Sequence, residues 1–371
     1  SLSMSTLNVA LELPQPILLG LQSGSLKRVG GVIVDSSTNQ VVTWLRDGAS
    51  DFADQSNPLV NSLMSASKFG ALRMLTPGMM VLNVALAGMA SSALTSRFSQ
   101  ISSQLAELKS EFEADRKVRL EVALQAATDV LGSTNPSFVH SSNAPYLLLD
   151  AKKHILREFE QVLSNQPLEL DYAQHLLVLA MNIVTLRTRC YLKVDDQQLA
   201  REYLRQQVTE FKKYSHKFID ALLGTYPAIY LHSKLADEAV ERFLDIQLWL
   251  RDIDKSLPNM LSILHELRKD FWNTQADDVF DGSQLHQRVQ KLLRRKEHEP
   301  EVSPVEKLES ALIQAELLIE NLDRMRGFEL EIRSMRLSTF EEWQNLTDKP
   351  EYANQPVAIY DKEHIQRLGI S

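Results

Sequence analysis

The chain has 371 residues, 44% of them hydrophobic and 24% charged, with a formal net charge of −8. That length and apolar content suit two or three domains with a real core, and the acidic balance counts against a general nucleic-acid binder. The lone cysteine, Cys190, excludes an internal disulfide framework and a cysteine-only zinc site.

Glycine and proline, 13 each, are scarce for this length, which favours long helices over many short strands. Charge is unevenly spread. Six Lys or Arg and five Asp or Glu occur through Arg97, against 34 and 43 in the remainder. Nearly all the net negative charge therefore belongs to the later part of the chain.

In chain order, Leu7 to Leu21 is apolar enough for a strand, but Pro14 and Pro16 confine it to an edge or a loop. Gly30-Gly31, Val32-Ile33-Val34, the polar Ser36 to Asn39 and Val41 to Leu45 read as a β-hairpin. Asp47 to Pro58 reads as a loop and Leu59 to Leu75 as a short helix. Thr76-Pro77-Gly78 then marks a helix boundary.

Between Arg73 and Arg97 there is no charged residue. This stretch, Met74 to Ser96, is long enough to span a bilayer, but Asn83, Ser91, Ser92, Thr95 and Ser96 dilute it. It has three readings: a buried core helix, a conditionally membrane-inserting segment, or a helix contact in an oligomer. The candidate contact residues are Met79, Leu82, Leu86, Gly88 and Met89. After Arg97 the pattern changes. Phe98, Ile101, Leu105, Leu108 and Phe112 form a 3-4 seam about two heptads long, a candidate assembly surface.

A series of amphipathic helices follows a break at Gly132 to Pro145. The spacing predicts helices over Leu147–Leu163, from Pro167 to about Leu192, and from Asp195 or Asp196 to Gly224. Tyr172 to Leu186 carries no formal charge and reads as a central core helix, too short to span a bilayer. Ile229 to Ile253 reads as one further helix, and Pro258 as an end or kink. Shorter helices are expected at Leu261–Trp272 and Gln284–Arg295. Ser303-Pro304-Val305-Glu306 is a capping-box signature. The helix it starts carries Val305, Leu308, Leu312, Ala315, Ile319 and Leu322 at 3-4 spacing and extends past Gly327. Thr347 to Ser371 is a polar tail with one apolar run, Val357 to Tyr360.

No catalytic set stands out. His265-Glu266 lacks the second histidine of a zinc-binding helix, because position 269 is Lys. His175 sits among apolar residues and reads as a buried, hydrogen-bonded histidine. Asp277 to Gly282 fails as a calcium loop at Val279 and Arg288. Cys190 follows Arg187 and Arg189, yet a lone helical cysteine reads as packing. Lys291, Arg294, Arg295 and Lys296 form the densest basic cluster. They suit a helix C-terminus, or failing that an anionic contact.

The expected fold is mainly α, an elongated multi-helix bundle with a small N-terminal β-hairpin-containing region. The expected divisions are 1–57 for the β-containing region, 58–135 for the apolar helix and its heptad continuation, 136–346 for the bundle body, and 347–371 for the tail. The expected function is a non-enzymatic helical interaction or assembly protein with a protein partner or itself, without a cofactor or metal, in the cytoplasm or at a membrane. The first alternative is a membrane-inserting effector. An uncharged, small-residue segment joined to heptad-bearing helices resembles, in architecture only, helical pore-forming toxins. An enzyme with an unrecognised site is the second alternative.

Overall fold

The computed structural model describes residues 15–30, 32–46, 114–224, 226–232, 234–273, 304–333 and 357–360. They form a mainly helical fold with a small antiparallel sheet near the N-terminus. The uncharged stretch, including Met79, Leu82, Leu86, Gly88 and Met89, lies outside the described residues. So do the Phe98–Phe112 seam and the basic cluster Lys291, Arg294, Arg295 and Lys296.

The chain begins with α1 (Gln15–Ser23). The sequence points to a strand or loop here, and the structure corrects this. Pro16 falls in the first helical turn, where a missing N–H costs nothing. Ile17 and Gly20 face inward, and Gly20 lies so close to Leu26 that a Cβ would come within 2.6 Å of it.

Strands β1 (Leu26–Val29), β2 (Val32–Asp35) and β3 (Val41–Arg46) form a meander. The Val32–Val42 hairpin is where its β-branched runs place it, and Leu26–Val29 adds a strand before it. Val29 pairs with Val32 across the first turn, where Gly30 has φ +55°, a left-handed conformation that suits glycine. In the second turn Asp35 accepts from the backbone N–H of Ser37 (2.8 Å) and Thr38 (2.9 Å), which fixes the reversal in the manner of an Asx turn. Strand β4 (Val357–Tyr360), the apolar run of the polar tail, pairs antiparallel with β3, Arg46 opposite Val357 and Thr43 opposite Tyr360. The sheet order is β1-β2-β3-β4. Chain-distant residues therefore close the N-terminal sheet.

Helices α2 (Ala114–Gly132), α3 (Pro136–Ser141), α4 (Ala144–Ser164) and α5 (Leu170–Lys193) follow. Helix α4 packs against both α2 and α5, and α2 also meets α5. Helix α5 is the core helix that its uncharged run predicts: every residue from Tyr172 to Leu186 is buried. A helix buried all round must satisfy its polar side chains locally. Asn182 Nδ2 donates to the Val178 carbonyl (3.1 Å), and the hydroxyls of Thr185 and Thr188 donate to those of Met181 (3.3 Å) and Val184 (2.9 Å).

Helix α6 (Gln197–Leu223) has Asp196 at its N-cap, whose carboxylate accepts from the Leu199 N–H at 2.9 Å. It ends at Gly224, in the left-handed region at φ +78°. Leu204, Phe211, Ser215 and Phe218 are buried, with Val208 and Leu222 half-buried, so the 4-3-4-3-4 spacing of this helix faces the core.

The single helix expected over Ile229–Ile253 is two elements: a 3₁₀ turn (Pro227–Leu231) and α7 (Asp237–Arg251). Helix α7 ends with Asp252 at φ 56° and Ile253 N–H bonded to the Leu248 carbonyl, a Schellman-type stop. Pro258 neither ends nor kinks a helix. It lies in the first turn of α8 (Leu257–Asn273), again where its missing N–H is harmless.

Helix α9 (Pro304–Arg333) passes Gly327 without a break. Burial extends beyond its predicted seam to Ile313, Leu318, Met325 and Phe328, and to the polar Asn321, Arg324 and Glu331.

The chain divides into two compact units, with boundaries inside α6 and α9. One holds the sheet, α1–α5, α6 through Ser215 and α9 from Ile319. In the other, Tyr230 stacks on Phe243 with ring centres 5.1 Å apart, and Arg242 pairs with Glu316 at 2.6 Å. Among the described residues no helix is long and apolar enough to cross a membrane.

Candidate functional site

Four places in the structure gather ionisable or apolar side chains.

The first is the seat of the sheet on α9. The Arg28 guanidinium of β1 forms a fork on the Glu320 carboxylate, with one arm at 3.3 Å, and Arg324 Nε donates to the same carboxylate at 3.0 Å. Between these contacts the Gly30 turn presses on the helix. A Cβ at Gly30 would stand 2.4 Å from the Arg324 Cα and the Asp323 carbonyl oxygen. Further along, Val29 and Leu330 pack on Val32, Val34 and Val41, and Arg333 donates to the Asn39 carbonyl at 2.7 Å.

Burial alone would raise the Glu320 carboxyl, but Arg28 and Arg324 outweigh it and hold it below the ordinary carboxylate value. Asp323, one turn on and a third exposed, is pushed up to about 6 by partial desolvation and by the negative charge of Glu320. The cluster is an electrostatic clasp between sheet and helix.

The second place is the α4–α5–α6 interface. Lys152 is buried, donating to Gln207 and, at 3.4 Å, to Glu210. Burial lowers its pKa, and Glu210 opposes that fall. Nearby, the Arg187 guanidinium lies 4.5 Å from the centre of the Tyr203 ring and 5.4 Å from that of Tyr191, a cation–π arrangement. On the α2 side, Arg116 pairs with Glu158, which also accepts from the Tyr172 hydroxyl at 3.4 Å. These groups join helices. Only 5% of the Lys152 side chain meets solvent, so it presents no reactive amine to a substrate.

The third place is on the surface. Ile253, Leu257 and Leu261 are 39%, 68% and 54% exposed. Leu257 and Leu261, four apart, lie on one face of α8, and Ile253 is exposed in the turn before the helix. The fourth is a cleft of about 440 Å³ that opens where α6 begins and α9 ends, lined by Gln197, Gln198, Arg201, Glu202, Arg205, Ile332 and Arg333.

His175 is buried, and its Nδ1–H donates to the Asp171 carbonyl at 2.6 Å. Burial lowers its pKa, as the apolar surroundings in the sequence imply. Cys190 is buried, and burial pushes its thiol up to about 12 against the pull of Arg187 and Arg189. It is a packing residue, not a nucleophile. Glu266 is taken by Arg251, and among the described residues no group of His, Cys, Asp and Glu could hold a metal.

Sequence reasoning missed Arg28, Glu320 and Asp323, because a pair 292 residues apart leaves no local trace. Lys152 was more legible: with Leu148, Ile155 and Phe159 it falls on the apolar stripe of α4. A lysine at an inward position signals a buried partner. The chain matches no family model, no curated protein and no solved structure.

Proposed function

We propose that this is a non-enzymatic helical interaction protein that associates with a second copy of itself through the exposed leucines of α8. The observation that carries this reading is the pair of exposed leucines Leu257 and Leu261 at helical spacing on α8, with Ile253 exposed in the turn before them. Single exposed apolar residues are ordinary, but large ones grouped along one helix and its lead-in suit a contact surface. Such a group can bury itself against its own copy across a two-fold axis. Three side chains make a small patch, so the association is weak and concentration-dependent.

Two apolar seams do not serve this role. Leu204–Leu222 and Val305–Leu322 are largely spent inside the chain's own fold. The Phe98–Phe112 seam stays a candidate second contact.

The test is sedimentation velocity over a wide concentration range, comparing the wild type with Leu257→Asp/Leu261→Asp. Both positions are exposed, so the variant keeps its fold. Association lost in the variant supports the reading, and a strict monomer in both refutes it.

A second reading is a membrane-inserting effector, motivated by the absence of any charge between Arg73 and Arg97. Vesicle flotation and dye release separate the two. Release abolished by Leu82→Asp/Leu86→Asp would favour the membrane reading, and failure to bind vesicles under any condition would end it.

A further inference from the structure

We propose that the cleft between α6 and α9 binds a small anion carrying two or more phosphate or carboxylate groups. Its walls bring three guanidinium groups together from two helices: Arg201 and Arg205 from α6, Arg333 from α9. Each is held by one anchor. Arg201 uses Nε on Glu329 (2.8 Å), Arg205 uses one terminal nitrogen on Glu202 (2.9 and 3.0 Å), and Arg333 uses one on the Asn39 carbonyl (2.7 Å). A guanidinium has five N–H donors. The anchors orient the three groups yet use only a minority of those donors, and all three side chains are exposed.

The local charge runs against the rest of the molecule. Three cations meet two carboxylates, Glu202 and Glu329, in a chain whose net charge is −8. A singly charged ion would neutralise only one of the three guanidinium charges. Two or more anionic groups on one ligand can engage guanidinium forks on both walls, in the planar two-point geometry that arginine offers to phosphate and carboxylate. The volume lies within the ~300–1,000 Å³ range of small-molecule sites. Ile332 is the one apolar side chain in the lining, and no aromatic ring lines it to stack a base, so the anionic groups carry the recognition.

The experiment is isothermal titration of the full chain with inorganic pyrophosphate and, in a second arm, citrate, with sodium chloride at matched ionic strength as control. Saturable binding at one site is expected for at least one of the two, and the tighter arm identifies phosphate or carboxylate as the preferred group. Arg201→Gln should weaken binding about tenfold, the loss of one charge-assisted pair.

Gln198→Glu is the sharper variant. Gln198 is exposed in the first turn of α6, where an acidic side chain favours the helix. The substitution leaves folding intact yet puts a negative charge in the cleft, and should also weaken binding about tenfold. Heats that follow ionic strength without saturation, or binding unchanged in both variants, would overturn the proposal.

Discussion

Replacing Gly30 by alanine probes the seat of the sheet on α9 at its tightest point. Two costs add. Gly30 holds φ +55°, and a left-handed residue with a Cβ costs about 1–2 kcal/mol. The new Cβ would also stand 2.4 Å from the Arg324 Cα and the Asp323 carbonyl oxygen. Those are helix backbone atoms, which cannot swing aside as a side chain can, and overpacking of this kind costs typically 1–3 kcal/mol. The sum is about 2–5 kcal/mol.

Two other glycines separate the terms. Gly24 also has positive φ (+80°) but meets nothing within 4 Å, so Gly24→Ala carries the conformational cost alone. Gly132 lies in open space without positive φ, so Gly132→Ala should be neutral or stabilise by about 0.4–1 kcal/mol. Hydrogen exchange read over residues 26–46 is the assay, because undocking is a local opening. A cost of about 3 kcal/mol speeds exchange there roughly a hundredfold. If Gly30→Ala accelerates exchange no more than Gly24→Ala, the hairpin does not rest on the helix backbone and the reasoning fails.

Breaking the clasp electrostatically should act at the same place. Arg28→Met and Glu320→Gln should each destabilise by about 3 kcal/mol. Their double-mutant cycle should show a coupling of about 1–3 kcal/mol, and additive effects would mean the pair is not formed. The clasp should also respond to pH in two opposed limbs. The contribution of Glu320, whose pKa is depressed, is present above the ordinary carboxylate value and lost as pH falls below it. Asp323 is raised from 3.8 to about 6, so its contribution is full below the lower value and lost as pH rises through the higher one. Hairpin protection should therefore improve slightly from about pH 7 to pH 5 and collapse at lower pH. The upper limb is small because Asp323 keeps a third of its side chain in water, and Asp323→Asn should flatten it. Cys190 should resist thiol reagents at about pH 8 until the protein unfolds, so labelling at the rate of a free thiol in the native state would contradict its burial.

Local features of the fold were legible and long-range ones were not. The α5 core helix shows in the sequence because fifteen consecutive residues, Tyr172 to Leu186, carry no charge. The N-cap at Asp196 and the stop at Gly224 were readable because capping chemistry acts within one turn. Helix α1 was misread because Pro14 and Pro16 argue against a central strand without arguing for a helix. Strand β4 could not be placed, because nothing in Val357–Tyr360 names β3 as its neighbour. The clasp failed for the same reason. Glu320 and Arg324 look like an ordinary i, i+4 surface pair until Arg28 arrives from β1. The exposed leucines of α8 are invisible as such in sequence, since Leu257 and Leu261 are indistinguishable there from buried ones.

Self-association of this protein is proposed to run through the exposed leucines of α8. Its most direct test is the sedimentation coefficient of the wild-type chain as concentration rises, set beside that of Leu257→Asp/Leu261→Asp. A weight-average value that climbs toward a dimer for the wild type and stays at the monomer for the variant is the predicted result. Identical, concentration-independent monomer values for both would contradict the account.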